Sequence, residues 1–155
     1  MCLDRIYNKK EKKDFLDKIN EWFEVYKIID ISKRQRGDKW ISYLRNYTYE
    51  YGLNTCPKPN KITVSHVSGQ KYSPYFHFFL HKEDAQRESN YYDAQTITCY
   101  IRKAWISTVG YQFRCPSVVA KKAIFPKCPK IDLDLDEQIK FKILKESQVI
   151  RYPSH

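Results

Sequence analysis

The most constraining feature of the sequence is a stretch of strict alternation in the second half of the chain. Over residues 95–102 two sets of side chains alternate: Ile97, Cys99 and Ile101 on one side, and Thr96, Thr98 and Tyr100 on the other. Successive side chains of a β-strand point to opposite faces of the sheet, so the pattern predicts a strand with one buried face. A strand of this kind needs neighbouring strands.

Runs rich in β-branched and aromatic residues predict those neighbours. Further strands are expected over residues 25–32, 62–67, 75–81, 105–111 and 117–125. At 42% hydrophobic and 15% aromatic residues, the chain can bury a proper core. We expect one domain over residues 1–155, with residues 131–155 as an edge strand or a docking arm.

Two helices are predicted beside these strands. Asn8 and Glu11 have the spacing of a capping box, which predicts a helix start. Apolar residues then recur at helical spacing and predict an amphipathic helix of about four turns: Phe15, Leu16, Ile19, Trp22 and Phe23. A second, short helix is predicted to begin at Lys82. Because strands outnumber helices, the predicted fold class is α+β with a mostly antiparallel sheet.

The sequence lacks the motifs of several functional classes. The four glycines are isolated, which excludes P-loops and Gly-x-Gly-x-x-Gly cradles. No apolar run approaches the roughly 18 residues of a membrane span, and the charged first residues lack a secretory signal. The five cysteines form no Cys-x-x-Cys pair, so we expect reduced thiols, a cytoplasmic location, no metal and no cofactor.

The charge of the chain points to an anionic partner. Its formal net charge is +10, concentrated before residue 131. The densest basic and aromatic stretch covers residues 33–49 and comprises Lys33, Arg34, Arg36, Lys39, Trp40, Tyr43, Arg45, Tyr47 and Tyr49. Guanidinium groups bind phosphates and aromatic rings stack on bases, so this stretch predicts a nucleotide or single-strand site. The alternative for its tyrosines is packing in the core.

The histidines and a second basic group extend the candidate site. His66-Val67-Ser68 resembles one half of a two-histidine phosphodiesterase motif, whose second half is absent. His77 and His81 lie four residues apart without a carboxylate at a metal-binding spacing. A second basic group, which could lie on either face of the sheet, consists of Arg102, Lys103, Arg114, Lys121 and Lys122.

Three segments resemble short proteins of phages and prophages. Residues 76–85 read FHFFLHKEDA, residues 118–126 read VVAKKAIFP, and the chain opens with Met1-Cys2-Leu3. The resemblance covers about a third of the chain and implies a phage-type accessory factor that counters host defence by interfering with a nucleotide signal. It would place the protein in the host cytosol, with a host defence component as a further partner.

The strand–helix–strand run is also similar in topology to small ADP-ribosyltransferases. That resemblance would give His77 and Tyr100 catalytic counterparts, while Glu137 lies in an acidic tail without the expected context. It implies topology and does not support catalysis.

The leading hypothesis is therefore a non-enzymatic protein that binds a phosphate-bearing ligand, either a nucleotide, a cyclic oligonucleotide signal or a nucleic acid strand. The predicted ligand-binding residues are Arg34, Arg36, Lys39, Trp40, Arg45, Tyr47, Tyr49, His66, His77 and Tyr100. The alternatives are a small nucleotide-acting enzyme, ADP-ribosyltransferase-like or phosphodiesterase-like, and an inhibitor of an acidic host protein. Whether the protein forms a homo-oligomer stays open.

Overall fold

A computed structural model describes residues 3–30, 40–41, 48–57, 63–64, 69–91, 94–127 and 149–150. Its helices are α1 (Lys9–Lys18) and α2 (Lys82–Tyr91), with a short 3-10 turn at Lys103–Trp105. Its strands are β1 (Arg5–Ile6), β2 (Trp22–Asp30), β3 (Trp40–Ile41), β4 (Thr48–Tyr49), β5 (Gly52–Thr55), β6 (Thr63–Val64), β7 (Lys71–Tyr72), β8 (Phe76–Phe79), β9 (Ala94–Arg102), β10 (Ile106–Gln112), β11 (Cys115–Ala120), β12 (Lys122–Phe125) and β13 (Val149–Ile150).

Most of these strands belong to one sheet. Within the described ranges its order is β1-β10-β11-β8-β2-β9-β12-β5, and β13 pairs with β2. Every pairing along this path is antiparallel, whereas β13 runs parallel to β2. The hairpins β3-β4 and β6-β7 are separate. The predicted α+β class with a mostly antiparallel sheet is confirmed.

The sheet must be strongly curled. Only Lys121 separates β11 from β12, yet β8, β2 and β9 lie between these two strands in the sheet. A flat sheet with strands about 4.8 Å apart would separate β11 from β12 by roughly 19 Å. The Cα atoms on either side of one residue lie at most about 7 Å apart. The sheet therefore wraps around its concave face.

The concave face holds the main core. The alternation predicted over residues 95–102 is confirmed, because Ile97, Cys99 and Ile101 are buried there. In register with them, β2 contributes Phe23 and Val25. The convex face is covered by α2, where Ala85 packs with Tyr26 and Phe79.

A lysine is buried on the concave face. Lys27 shares the side of β2 that carries Val25 and lies 7% exposed. Its Nζ donates to the carbonyl oxygen of His77 at 2.9 Å and lies 5.4 Å and 5.2 Å from the ring centres of Tyr49 and Phe78. A buried ammonium is tolerated when it is hydrogen-bonded and faces aromatic rings, as it is here.

The predicted N-terminal helix is correct at its start and wrong at its end. The Asn8 side chain accepts from the Glu11 amide at 2.8 Å, and the Glu11 side chain accepts from the Asn8 amide at 3.2 Å. The helix stops at Lys18, however, and Trp22 and Phe23 belong to strand β2. The run from Trp22 is aromatic and β-branched, so its preference for a strand outweighs the helical spacing of its apolar residues.

The strand predicted over residues 117–125 is divided in two. Lys121 interrupts it: the Lys121 amide donates to the Trp105 carbonyl at 2.9 Å, and the Lys121 carbonyl accepts from the Cys56 amide at 2.8 Å. This bend lets one continuous run of chain serve two parts of the curled sheet. Of the predicted arm over residues 131–155, the structure describes β13, and the other residues lie outside the described ranges.

Candidate ligand-binding site

The turn of the β10-β11 hairpin consists of two residues with a left-handed backbone conformation. This conformation favours glycine, yet both residues have side chains. Phe113 and Arg114 have φ angles of 47° and 64°. Two-residue hairpin loops of this kind normally use Asn or Gly, and other residues held there cost about 1–3 kcal/mol. The Arg114 amide donates to Oδ2 of Asp4 at 3.1 Å, which helps to hold the turn. Both side chains of the turn are exposed.

A cavity of about 380 Å³ lies beside this turn. Four separate segments of the chain meet around it: the N-terminal strand region, the start of α2, the end of β10 and the start of β11. Its lining residues are Tyr7, His81, Asp84, Arg87, Tyr111, Phe113, Arg114, Cys115 and Pro116. The volume lies within the range of small-molecule sites, which is roughly 300–1,000 Å³.

Two guanidinium groups flank the cavity. Nη2 of Arg87 lies 2.9 Å from Oδ1 of Asp84 and 3.2 Å from Sγ of Cys115. Both contacts use one nitrogen, so the described residues leave Nε and Nη1 of Arg87 unoccupied. The side chain of Arg87 is 61% exposed and is thus oriented without being covered. Arg114, at the tip of the turn, has no ion pair among the described residues.

Aromatic rings also line the cavity. The rings of Tyr7 and Tyr111 lie 5.4 Å apart at a tilt of 57°, and their hydroxyl oxygens are 3.4 Å apart. The guanidinium of Arg5 lies 5.7 Å above the Tyr111 ring and is paired with Glu11. Arg5 therefore adds positive charge beside the cavity without lining it.

The cavity also contains a thiol and a buried histidine. Burial raises the pKa of the Cys115 thiol, the Asp84 carboxylate raises it further, and the hydrogen bond from Arg87 lowers it. Such a thiol is mostly protonated at neutral pH and is a poor nucleophile. His81 is 3% exposed, and its carbonyl accepts from the Ala85 amide at 3.2 Å at the start of α2.

The acidic first turn of α2 affects where an anion can bind. Glu83 and Asp84 occupy this turn, and their charges already complement the positive end of the helix dipole. A phosphate group would therefore favour the guanidinium side of the cavity over the helix end.

Most of the predicted ligand-binding residues cannot be placed in this cavity. Arg34, Arg36, Lys39, Arg45, Tyr47 and His66 lie outside the described residues. The backbone of Trp40 pairs with Tyr49 in the β3-β4 hairpin. The Tyr49 side chain is 2% exposed and stacks on Phe125 with ring centres 4.4 Å apart. These contacts correspond to core packing, the alternative noted for the tyrosines of this stretch.

The remaining predicted residues are His77 and Tyr100. They do not line the cavity, and they have different hydrogen-bond partners. His77 bonds to Tyr72 and to the carbonyl of Tyr75, each at 2.9 Å. Tyr100 is buried, and its hydroxyl donates to the buried carboxylate of Glu24 at 3.5 Å, which also accepts from Tyr26 at 2.7 Å. Neither residue lines the described cavity.

Sequence reasoning missed most of the cavity. The sequence patterns include Arg114 in the second basic group and pair His81 with His77. No pattern connects Arg87, Tyr7 and Tyr111. The turn was missed because Phe113-Arg114 contains none of the residues that normally indicate a tight hairpin. Contacts between segments about a hundred residues apart leave no local spacing to detect.

One triplet of helix α2 bears on the similarity to ADP-ribosyltransferases. Gln86-Arg87-Glu88 matches the Gln-x-Glu pattern of those enzymes, and it lies inside helix α2. Helical residues two apart do not face the same side, so the amide and the carboxylate are not paired as they would be on a strand.

Within the described part of the chain, no group of three or more His, Cys, Asp or Glu side chains could hold a metal ion. Among the same residues, neither helix is long and apolar enough to cross a bilayer. Comparisons with protein-family models, curated proteins and solved structures gave no match.

Proposed function

We propose that the protein binds a phosphate-bearing small molecule, a nucleotide or a cyclic oligonucleotide, in the cavity beside the β10-β11 turn. The observation that carries the proposal is the convergence of Arg87 and Arg114 with the rings of Tyr7, Tyr111 and Phe113 around one cavity. Guanidinium groups match phosphate oxygens in geometry and charge, and aromatic side chains stack on bases.

Binding without catalysis is favoured by the chemistry of the cavity. The raised pKa of Cys115 leaves little thiolate at neutral pH, and Asp84 is held in an ion pair with Arg87 at 2.9 Å. The strained turn supports a binding role as well, since unusual backbone conformations persist where they position functional side chains. Following the resemblance to phage accessory proteins, we propose that the bound ligand is a nucleotide signal of the host, sequestered in the cytosol.

Calorimetric titration with three probes tests this proposal: ATP, a cyclic dinucleotide and a short single-stranded oligonucleotide. We expect ATP or the cyclic dinucleotide to bind. Arg114→Gln should weaken that binding about 10- to 100-fold, which corresponds to the loss of a charged hydrogen bond. Arg114→Lys should recover part of the loss, because the charge returns without the planar fork.

Arg102→Gln is the matched control, since Arg102 is an arginine on the same sheet that is paired with Glu21 and does not line the cavity. It should bind as the unaltered protein does. Equal affinity of the Arg114→Gln and Arg102→Gln variants would contradict the proposed site. Arg36→Lys and Trp40→Ala test the stretch over residues 33–49 in the same titrations, after thermal melts have shown that each variant folds.

The salt dependence separates the ligand classes. A nucleic acid strand spanning many cationic groups should lose affinity steeply as salt rises, because each neutralised phosphate releases counterions. A mononucleotide in the cavity contacts few cationic groups and should show a shallow slope. A steep slope for the oligonucleotide, with no mononucleotide bound, would transfer the function to a polyanion surface.

A further inference from the structure

The cavity depends on a short N-terminal arm, which we define as residues 3–7. Tyr7 lines the cavity, Asp4 accepts from the amide of the Arg114 turn, and Arg5 lies over the ring of Tyr111. Three of the groups that would contact or support a ligand are therefore set by this one segment. Its attachment to the sheet determines whether the site is assembled.

The arm lies closely against β10. The Asp4 amide donates to the Tyr111 carbonyl at 2.7 Å, and the Tyr7 amide donates to the Val109 carbonyl at 2.8 Å. Gly110, between these two acceptors, has no side chain to interfere. A Cβ atom there would lie 2.1 Å from the Arg5 carbonyl oxygen, so the approach requires glycine.

A relay of hydrogen bonds through Tyr72 of β7 and His77 of β8 anchors the start of the arm. The Leu3 amide donates to the Tyr72 hydroxyl oxygen at 2.8 Å, and this hydroxyl lies 2.9 Å from Nε2 of His77. Nδ1 of His77 lies 2.9 Å from the Tyr75 carbonyl, which can only accept, so Nδ1 carries the ring proton. In a neutral ring with this tautomer, Nε2 accepts from the Tyr72 hydroxyl. The hydroxyl thus donates to His77 while it accepts from Leu3.

We infer that Tyr72 is a positioning residue for the ligand cavity, although it does not line it. It fixes Leu3, Leu3 fixes the register of the arm on β10, and the arm places Tyr7 and steadies the Arg114 turn through Asp4. This inference rests on the proposed function for its ligand measurement. By linkage, a ligand that binds only the assembled cavity must in turn hold the arm on the sheet.

Amide hydrogen exchange measured by NMR tests the inference on the full chain. In Tyr72→Phe, the Asp4, Tyr7 and Arg114 amides should exchange about tenfold faster or more, because the buried Leu3 donor loses its acceptor. The Cys99 amide of the central β2-β9 pair should keep its rate, which separates loosening of the arm from global destabilisation. In the unaltered protein, ATP near saturation should slow the three arm-dependent amides.

Tyr75→Phe is the matched control. It removes a hydroxyl three residues along the chain, for which the described residues provide no hydrogen bond, beside the same Leu3 cluster. It should leave all of these rates unchanged. If Tyr72→Phe exchanges at Tyr7 and Arg114 as slowly as Tyr75→Phe, the inference is wrong.

A second pair of variants covers the case in which Tyr72→Phe fails to fold. Asp4→Ala should accelerate exchange at Arg114, and Asp4→Asn, which keeps an acceptor oxygen, should not. Equal rates in both Asp4 variants would show that Asp4 does not hold the turn, which removes the link from the arm to Arg114 and overturns the inference. If ATP binds but does not slow the arm amides, the coupling is wrong while the proposed function stands. If no probe binds, the proposed function fails, and the comparison of Tyr72→Phe with Tyr75→Phe in the ligand-free protein still decides the role of Tyr72.

Discussion

The concave interior of the sheet and the cavity beside the β10-β11 turn are built in opposite ways. The interior stacks Tyr49 on Phe125 and admits one described lysine, Lys27, whose ammonium is bonded to a backbone carbonyl. The cavity gathers Arg87, Arg114 and the Cys115 thiol, whose pKa burial raises, and leaves the two guanidinium groups accessible. The difference indicates that the interior supplies stability, whereas residues that line the cavity can be replaced without disturbing the fold.

Replacing one phenylalanine in each region should separate these roles most strongly. Phe125 is completely buried, so Phe125→Ala should lower the free energy of unfolding by about 3–5 kcal/mol. Phe113 is 39% exposed on the turn, and Phe113→Ala should change it by about 0.5 kcal/mol or less. Urea denaturation measures both. A large loss for Phe113→Ala would mean that the turn contributes to stability and would weaken the distinction.

The interior thiol should make stability depend on pH. Burial raises the pKa of Cys99 far above its ordinary value, and the Lys27 charge lowers it only in part. An unfolded thiol ionises near pH 8.5. The unfolded state therefore loses its proton first, and the free energy of unfolding should fall above about pH 8.5 by up to about 1.4 kcal/mol per pH unit. Below that pH the contribution is fully present.

Urea titrations of the Cys99→Ala variant at several pH values check this slope. The variant should lose less stability than the unaltered protein between about pH 8 and about pH 9.5, whatever its stability at neutral pH. Cys56→Ala is the control, because the Cys56 thiol is only partly buried and its removal should change the slope less. Identical slopes in the Cys99→Ala variant and the unaltered protein would contradict the prediction.

The cavity thiol should respond to its charged neighbours, with the smallest effect of the three. Asp84 raises the pKa of Cys115 and Arg87 lowers it, so Asp84→Asn should speed alkylation by iodoacetamide and Arg87→Gln should slow it. We expect changes of about two- to fivefold at a fixed pH just above neutral. Mass spectrometry of the modified thiol reports the rates, with buried Cys99 as the internal reference. Opposite signs would require a different account of the electrostatics of the cavity.

Local patterns predict part of the interior but not the cavity. The alternation around Cys99 and the Asn8–Glu11 spacing depend on neighbours in the chain, and both are confirmed. The predicted end of α1 is wrong because Trp22 and Phe23 have the spacing of a helix but the residue composition of a strand. Only pairing with β9, about eighty residues away, selects the strand.

The cavity depends on contacts of a different kind. Tyr7, Arg87 and Tyr111 are distant in the chain and meet through the tertiary fold, so no motif joins them in the sequence. Basic and aromatic residues do cluster in the sequence over residues 33–49. Their role in ligand binding stays a prediction, except for Tyr49, which packs in the core. Clustering along the chain and convergence in space are separate properties.

The single residue between β11 and β12 has a consequence for the order of folding. Lys121 joins β11, which pairs with β8 about 40 residues earlier in the chain, to β12, which pairs with β5 about 70 residues earlier. Beyond the local β10-β11 hairpin, neither strand can therefore complete its pairing from local contacts. Closing such long loops costs chain entropy before any pairing offsets it, and folding slows as sequence separation grows. We expect refolding in the millisecond-to-second range typical of non-local β-proteins, with α1 and α2 forming before the curl closes.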